Sequence, residues 1–212
     1  MMPRQHNDIE TERERLVEIA CAVIEERGGQ PPTLADIAAR AGIGQAQVTR
    51  FFENKEALFE AIAEYWFRPK VAVMEHVLAS DLPARRKMYE FFAQRYVLMH
   101  DEFRKDPIAF KMYVQLGDEY FEQVRSYIDL ADHYLSMIIG EAMGEGAFAG
   151  LEIDETISLV NQMVAPYCAI PFIMQVADRL SEDKLARIVD AIFDGLSAQD
   201  RGARGLTGLR AA

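Results

Sequence analysis

Three observations on this chain predict an all-α fold. Apolar residues recur at intervals of three and four over most of its length, the period of a helix with one buried face. Proline, glycine and short capping residues punctuate those runs where helices would start and stop. No stretch alternates apolar with polar residues, no Asn-Gly hairpin signal occurs and β-branched clusters are few, so strands are not expected.

In chain order, the residues before Thr11 read as a loose arm. Thr11 and Glu14 form a capping box, and Leu16, Ile19, Ala20, Val23 and Ile24 give the first helix its apolar stripe. Gly28 and Gly29 close it, since glycine takes the left-handed conformation that ends helices. Thr33 with Asp36 opens a second helix that carries Leu34, Ile37, Ala38 and Ala41 on one face. Gly42 breaks it, Ile43 lies in the turn, and a third helix from about Gln45 to Phe52 buries Val48 and Phe52. Asn54 caps a fourth, with Ala57, Leu58, Ala61, Ile62, Tyr65 and Trp66 in phase as far as Phe67, where Pro69 interrupts and sets the expected domain boundary.

Beyond it the spacing predicts a short helix over Val71 to Leu78, another from Pro83 to about Arg104, one from Asp106 to Leu116, and, after Gly117, one from Asp118 to Met143. Gly144, Gly146 and Gly150 mark a loop. Asp154 caps a helix interrupted by Pro166 and Pro171, and Ser181 caps the last, to about Leu196. The expected domains are residues 1–68, 69–198 and a flexible glycine- and arginine-rich tail, 199–212.

Two short helices around a glycine turn, followed by a third, read as a helix-turn-helix. A residue advances ~100° around a helix. With Val48 and Phe52 inward, Ala46, Gln47 and Arg50 face outward, flanked by Gln45, Thr49 and Phe51, where a DNA major groove could use them. Gln bridges adenine N6 and N7, Arg bridges guanine O6 and N7, and the Ala46 methyl can meet a thymine methyl. Gly44 stands at the start of that helix. Thr33 and Lys55 flank the pair where a hydroxyl and an ammonium could hold phosphates.

The segments TERERLVEIACAVIEERG, TLADIAARAGI and VTRFFENKEALFEAI, about the first quarter of the chain, resemble the N-terminal domain of the TetR/AcrR family of bacterial transcriptional regulators. The resemblance implies an all-α homodimer with a variable C-terminal domain that binds a small molecule and thereby releases a DNA operator. Gly44, Gln45 and Thr49 stand where the family usually has Ser, Lys or Pro, and a phosphate-holding Tyr.

The charge balance, 23 Lys and Arg against 34 Asp and Glu, gives −11, which excludes non-specific attraction to nucleic acid over the whole surface. Cys21 and Cys168 lie in apolar periodic segments, as buried thiols do in a reducing cytoplasm. No apolar run reaches the ~20 residues that span a bilayer, and the polar first ten residues lack a signal-peptide core, so a cytoplasmic location is expected. His6, His76, His100 and His133 show no ligand spacing for zinc, and no serine-nucleophile motif or phosphate loop occurs. Gly144-Glu-Gly146-Ala-Phe-Ala149 matches a dinucleotide fingerprint in spacing, but a helical run precedes it instead of a strand. Neither enzyme nor cofactor is expected.

Phe92, Tyr96, Met99, His100, Phe103, Phe110, Tyr113, Tyr120, Tyr127, Met137, Met163 and Tyr167 are the expected effector-binding residues, an aromatic and methionine surplus suited to an apolar or aromatic ligand. The last helices carry Val160, Met163, Ile170, Ile173, Leu185, Ile188, Val189 and Ile192 on more than one face. That surplus is expected to bury against a twofold mate. The leading reading is a ligand-responsive repressor of a pseudo-palindromic operator; the rival is an all-helical small-molecule binding or interaction protein without operator binding.

Overall fold

The computed structural model describes residues 3–199, so the tail expected from residue 199 lies almost wholly outside the described residues. Ten α-helices and no strand occur among them. They are α1 (Pro3–Glu26), α2 (Leu34–Ala41), α3 (Gln45–Val48), α4 (Lys55–Leu78), α5 (Ala84–Lys105), α6 (Pro107–Glu119), α7 (Phe121–Gly144), α8 (Ile153–Cys168), α9 (Ile170–Val176) and α10 (Glu182–Gly195). A single 3₁₀ turn, Ala177–Arg179, follows α9.

Several helix ends differ from the sequence expectation, each for a local reason. Helix α1 begins at Pro3 and includes the stretch expected as an arm, because proline at a first helical position forfeits only an amide that would be unpaired anyway. Helix α3 ends at Val48; the chain continues to Phe52 in tight turns, with the Arg50 amide on the Gln47 carbonyl and the Phe51 amide on the Val48 carbonyl. Helix α4 runs through Pro69, so Val71 to Leu78 is its last third and not a separate helix. Pro69 cannot donate to the Tyr65 carbonyl, but one residue on the Lys70 ammonium adds a bond to the Trp66 carbonyl at 2.9 Å. Helix α6 runs through Gly117, where a glycine costs only ~1 kcal/mol, and ends at Glu119, capped by Tyr120, whose amide donates to the Leu116 carbonyl at 2.8 Å. Pro166 lies within α8. The break comes at Ala169, since Pro171 in the first turn of α9 has no amide for the Tyr167 carbonyl.

The described chain forms two compact units that do not follow chain order. One holds the residues up to His76 together with Gln94–Asp132; the other holds Val77–Ala93 and the residues from His133 onward.

In the first unit a core joins Leu16, Val17, Ala20 and Ile24 of α1, Ile37 and Ala38 of α2, Val48, Phe52, and Leu58, Phe59, Ala61 and Ile62 of α4 with Leu116 of α6. Each large aliphatic side chain so buried contributes ~1.5–3 kcal/mol. In the second unit, Leu135, Ile138 and Ile139 of α7, Val160 and Val164 of α8, Ile173 of α9, and Leu185, Val189 and Ile192 of α10 are buried. The glycine segment after α7 is a loop preceded by a helix, as the rejection of the dinucleotide motif requires. Phe148 in it has φ 59°, a costly conformation for a bulky residue, and its buried ring lies 5.0 Å from Phe193.

Candidate DNA-binding face and effector-domain residues

The helix-turn-helix is fixed by bonds local to its sequence. At the start of α2 the Thr33 hydroxyl accepts from the Asp36 amide at 3.1 Å, and the Asp36 carboxylate accepts from the Thr33 amide at 2.8 Å. The Arg27 guanidinium closes on the same carboxylate with two bonds of 2.8 Å, tying the end of α1 to the start of α2. Arg27 first, and Thr33 second, hold the Asp36 carboxyl well below the usual carboxylate range. Gly42 takes φ 69°, and its amide and that of Ile43 turn back onto the Ala39 and Ala38 carbonyls. This left-handed residue turns the chain from α2 into α3.

Helix α3 presents its outer face fully. Val48 and Phe52 are 0% and 1% exposed, while Gln45, Ala46, Gln47, Thr49 and Arg50 are all exposed. Not every polar group there is free for a ligand. The Gln47 Oε1 accepts from the Gly44 amide at 3.0 Å, standing in for the side-chain cap that glycine lacks, and the Thr49 hydroxyl donates to the Gln45 carbonyl at 2.9 Å. The Gln47 amide nitrogen and the Arg50 guanidinium remain outward. Phe51 is half-buried and packs on the core of the first unit. The Lys55 ammonium lies 5.6 Å above Phe59 and 5.2 Å above Tyr120, two rings stacked at 3.9 Å.

Ion pairs within the first unit consume much of its positive charge. Arg13 pairs with Glu64 at 3.0 Å, Arg15 with Glu12 at 2.7 Å, and Arg40 and Arg68 with Glu26 and Glu14. Arg50 and Lys55 make no ion pair with any described residue.

Two models of known families match the chain. The description "Bacterial regulatory proteins, tetR family" matches residues 16–62, and "Tetracyclin repressor-like, C-terminal domain" matches residues 84–189, half of the chain. The chain belongs to the TetR family. It is a DNA-binding transcriptional regulator of that family, and the helix-turn-helix described above lies within the first match. A search of curated proteins finds no match. Among solved structures, FadR of Bacillus subtilis in complex with stearoyl-CoA is similar at 16% identity and TM-score 0.63, covering 86% of this chain and 98% of that one. FadR of Bacillus halodurans is similar at 15% identity and TM-score 0.58, with 87% and 95% covered. The TetR-family regulator PfmR of Thermus thermophilus is similar at 19% identity and TM-score 0.52, with 86% and 98% covered. At these identities the likeness is one of fold.

The twelve residues expected to bind an effector are divided by the fold. Tyr96, Met99, His100, Phe103, Phe110, Tyr113, Tyr120 and Tyr127 lie in the first unit, and Phe92, Met137, Met163 and Tyr167 in the second. Tyr113 and Tyr120 pack on the helix-turn-helix core, the Tyr113 hydroxyl donating to Glu25 of α1 at 3.0 Å. Both hold α6 against that core, a role the sequence reading did not give them. Phe92 and Tyr167 are buried, the latter donating to the Ser181 carbonyl at 3.2 Å, whereas Met137 and Met163 are exposed. Tyr96 lies 5.4 Å from His100, and Phe103 lies 5.6 Å from Phe110.

The residues expected at a twofold interface need a correction. Val160, Ile173, Leu185, Val189 and Ile192 are at most 1% exposed inside one chain, so their apolar surface is already used. Only Met163, Ile170 and Ile188 keep solvent access, joined by the exposed Phe172. Helix α8 packs against both α9 and α10, so it needs more than one apolar stripe, which is why the surplus on these last helices looked intermolecular in sequence.

Sequence reading also missed Lys70, Glu102, Trp66 and Phe67 as a connected group. A signal was present. Ile62, Trp66, Lys70 and Met74 follow one another at four-residue steps, so a lysine stands on an apolar stripe. Among the described residues no cluster of three or more His, Cys, Asp and Glu could hold a metal, and no single helix is long and apolar enough to cross a membrane.

Proposed function

We propose that this TetR-family chain acts in the cytoplasm as a homodimeric repressor that reads a pseudo-palindromic operator and leaves it when a small, largely apolar effector binds. One observation carries the operator reading: an exposed row of Gln45, Ala46, Gln47, Thr49 and Arg50 above the buried Val48 and Phe52, on a turn locked by Gly42. The aromatic content of α4 to α7 supports an apolar effector, as does the Bacillus subtilis relative solved with stearoyl-CoA. Met163, Ile170, Phe172 and Ile188 are the residues proposed to meet a twofold mate. An effector that favours one spacing of the two DNA heads lowers operator affinity by the same coupling.

Selection of bound sequences from random duplexes with the purified protein tests the reading. The selected sites should be two half-sites about one helical turn, ~34 Å, or a multiple apart. Arg50→Ala should cost ~1–3 kcal/mol and relax one base position. A preference unchanged by Arg50→Ala removes that residue from base readout, and no duplex retained at low salt would favour an effector-binding protein without operator function.

A further inference from the structure

The rings on α4, α5, α6 and α7 of the first unit form one connected group. Trp66 lies 4.7 Å from Phe67, 6.3 Å from Phe110 and 6.4 Å from Tyr113. Phe67 stacks on Tyr127 at 4.7 Å, and Phe103 meets Phe110 at 5.6 Å. Of these six, Phe110 alone is buried; the other five are half-buried, so each keeps part of its surface in solvent, and Phe103 joins the group through Phe110.

Lys70 lies against Trp66, the ring with the most contacts in the group, and is nearly as enclosed as Phe110. Its ammonium lies 4.1 Å from the centre of Trp66 and donates to both Glu102 oxygens, at 2.7 and 2.8 Å. The lysine side chain is 5% exposed, but its counter-ion Glu102 is 35% exposed. The cation is thus inside and its carboxylate at the rim. An ammonium held in an apolar setting must keep a partner, because stranding it costs several kcal/mol. Glu102 supplies that partner from a position where it could turn into water and hydrate. A carboxylate arriving from solvent can take the same two acceptor positions, so the ammonium exchanges one counter-ion for an equivalent one. The partly exposed rings next to it then offer an apolar body a place to lie.

We propose that Lys70 anchors the effector, which is an amphipathic monoanion: its carboxylate replaces Glu102 on the Lys70 ammonium, and its apolar body lies along Trp66, Phe67, Phe103 and Tyr127. This rests on the effector reading above and narrows it from an apolar ligand to one with an anionic head.

Trp66 is the sole tryptophan of the chain, so its emission reports directly on the ring that carries the Lys70 ammonium. Submicellar dodecanoate and 1-dodecanol, which share an apolar chain and differ in the head, are titrated into the full-length protein, its Lys70→Met variant and its Glu102→Gln variant. Wild type should bind the acid at least about tenfold more tightly than the alcohol, a charge-assisted pair being the difference. Lys70→Met should lose that preference and keep the alcohol, and Glu102→Gln should bind the acid more tightly because the internal competitor is gone. Equal binding of acid and alcohol by wild type, or a preference unchanged in both variants, shows that the ion pair only braces α4 against α5; the apolar effector reading then stands without an anionic anchor. Should Lys70→Met not fold, Glu102→Gln decides, and unchanged acid affinity overturns the proposal. Binding of neither compound overturns it and also counts against the apolar effector reading beneath it.

Discussion

Two groups of aromatic side chains in this molecule are alike in composition and opposite in setting. In the second unit Phe91 and Phe92 meet edge to face at 5.1 Å, each 1% exposed, and Tyr167 is buried with its hydroxyl bonded to a backbone carbonyl. In the first unit Trp66, Phe67, Tyr113 and Tyr127 touch one another and Phe103 meets Phe110, and these five rings are only half-buried. Each unit also encloses a lysine. Lys87 donates to the Leu78 carbonyl and to Glu141, both at 3.0 Å, and its ammonium lies over no ring among the described residues, whereas Lys70 lies on Trp66. The lesson is that residue type does not separate a core from a wall: enclosure and the placement of charge do.

The largest test of the contrast is truncation. Phe91→Ala should cost ~3–5 kcal/mol, as removal of a sealed ring does, whereas Phe103→Ala should cost less than about half of that because part of its surface already faces water. Denaturant unfolding of both variants measures this, and equal losses would make the open group a core like the sealed one.

The next test concerns the counter-ion. Glu102→Ala strands the Lys70 ammonium and should cost ~3 kcal/mol, while Lys70→Met, which returns Glu102 to water, should stay within ~1 kcal/mol of wild type. Burial already holds the Lys70 ammonium below the ordinary lysine pKa, with Glu102 opposing that shift. Without Glu102 it falls further, so the folded state binds fewer protons than the unfolded one and stability rises with pH. The deficit of Glu102→Ala should therefore shrink as pH climbs toward the unfolded lysine value of ~10.4. Melting curves of both proteins across alkaline pH check the sign; a deficit that does not change with pH would show that the ammonium is not stranded.

Hydroxyl deletion is a smaller probe. Tyr113→Phe and Tyr167→Phe should each cost ~1 kcal/mol. Burial pushes the Cys21 thiol up to about 11, and a bond with Tyr113 opposes it. Tyr113→Phe should therefore slow alkylation of Cys21 through its thiolate at mildly alkaline pH, and Tyr167→Phe should leave it unchanged. Equal rates in all three proteins would separate Cys21 from the aromatic group.

The smallest effect sits on the surface of the first unit. Asp36 has a depressed pKa in the fold, so its contribution is complete above the unfolded value of ~3.9 and is lost as pH falls below it. Asp36→Asn should flatten the acid limb of the melting curve of wild type between neutral pH and pH ~2, and an unaltered limb would remove the Arg27 to Asp36 link from acid stability.

Much of the helix-turn-helix was legible because its determinants are close in sequence. Thr33 and Asp36 cap within one turn, Gly42 supplies a conformation that other residues resist, and Val48 with Phe52 fixes which side chains face outward. Helix lengths were less legible where distant packing outweighed a local breaker, as at Pro69 and Gly117. The sequence by itself determined the all-α class, the turn between α2 and α3, and the residues displayed on α3 and on the turn that follows it. Only the tertiary structure decided that Val160, Ile173 and Leu185 serve the chain's own core, that Tyr113 and Tyr120 brace α6 against the helix-turn-helix, and that Lys70 finds Glu102 thirty-two residues away. The physical reason is range. Caps and turns are settled by neighbours within one helical turn, while burial and ion pairing depend on which helices meet, and periodicity reveals that a face is apolar without revealing what covers it.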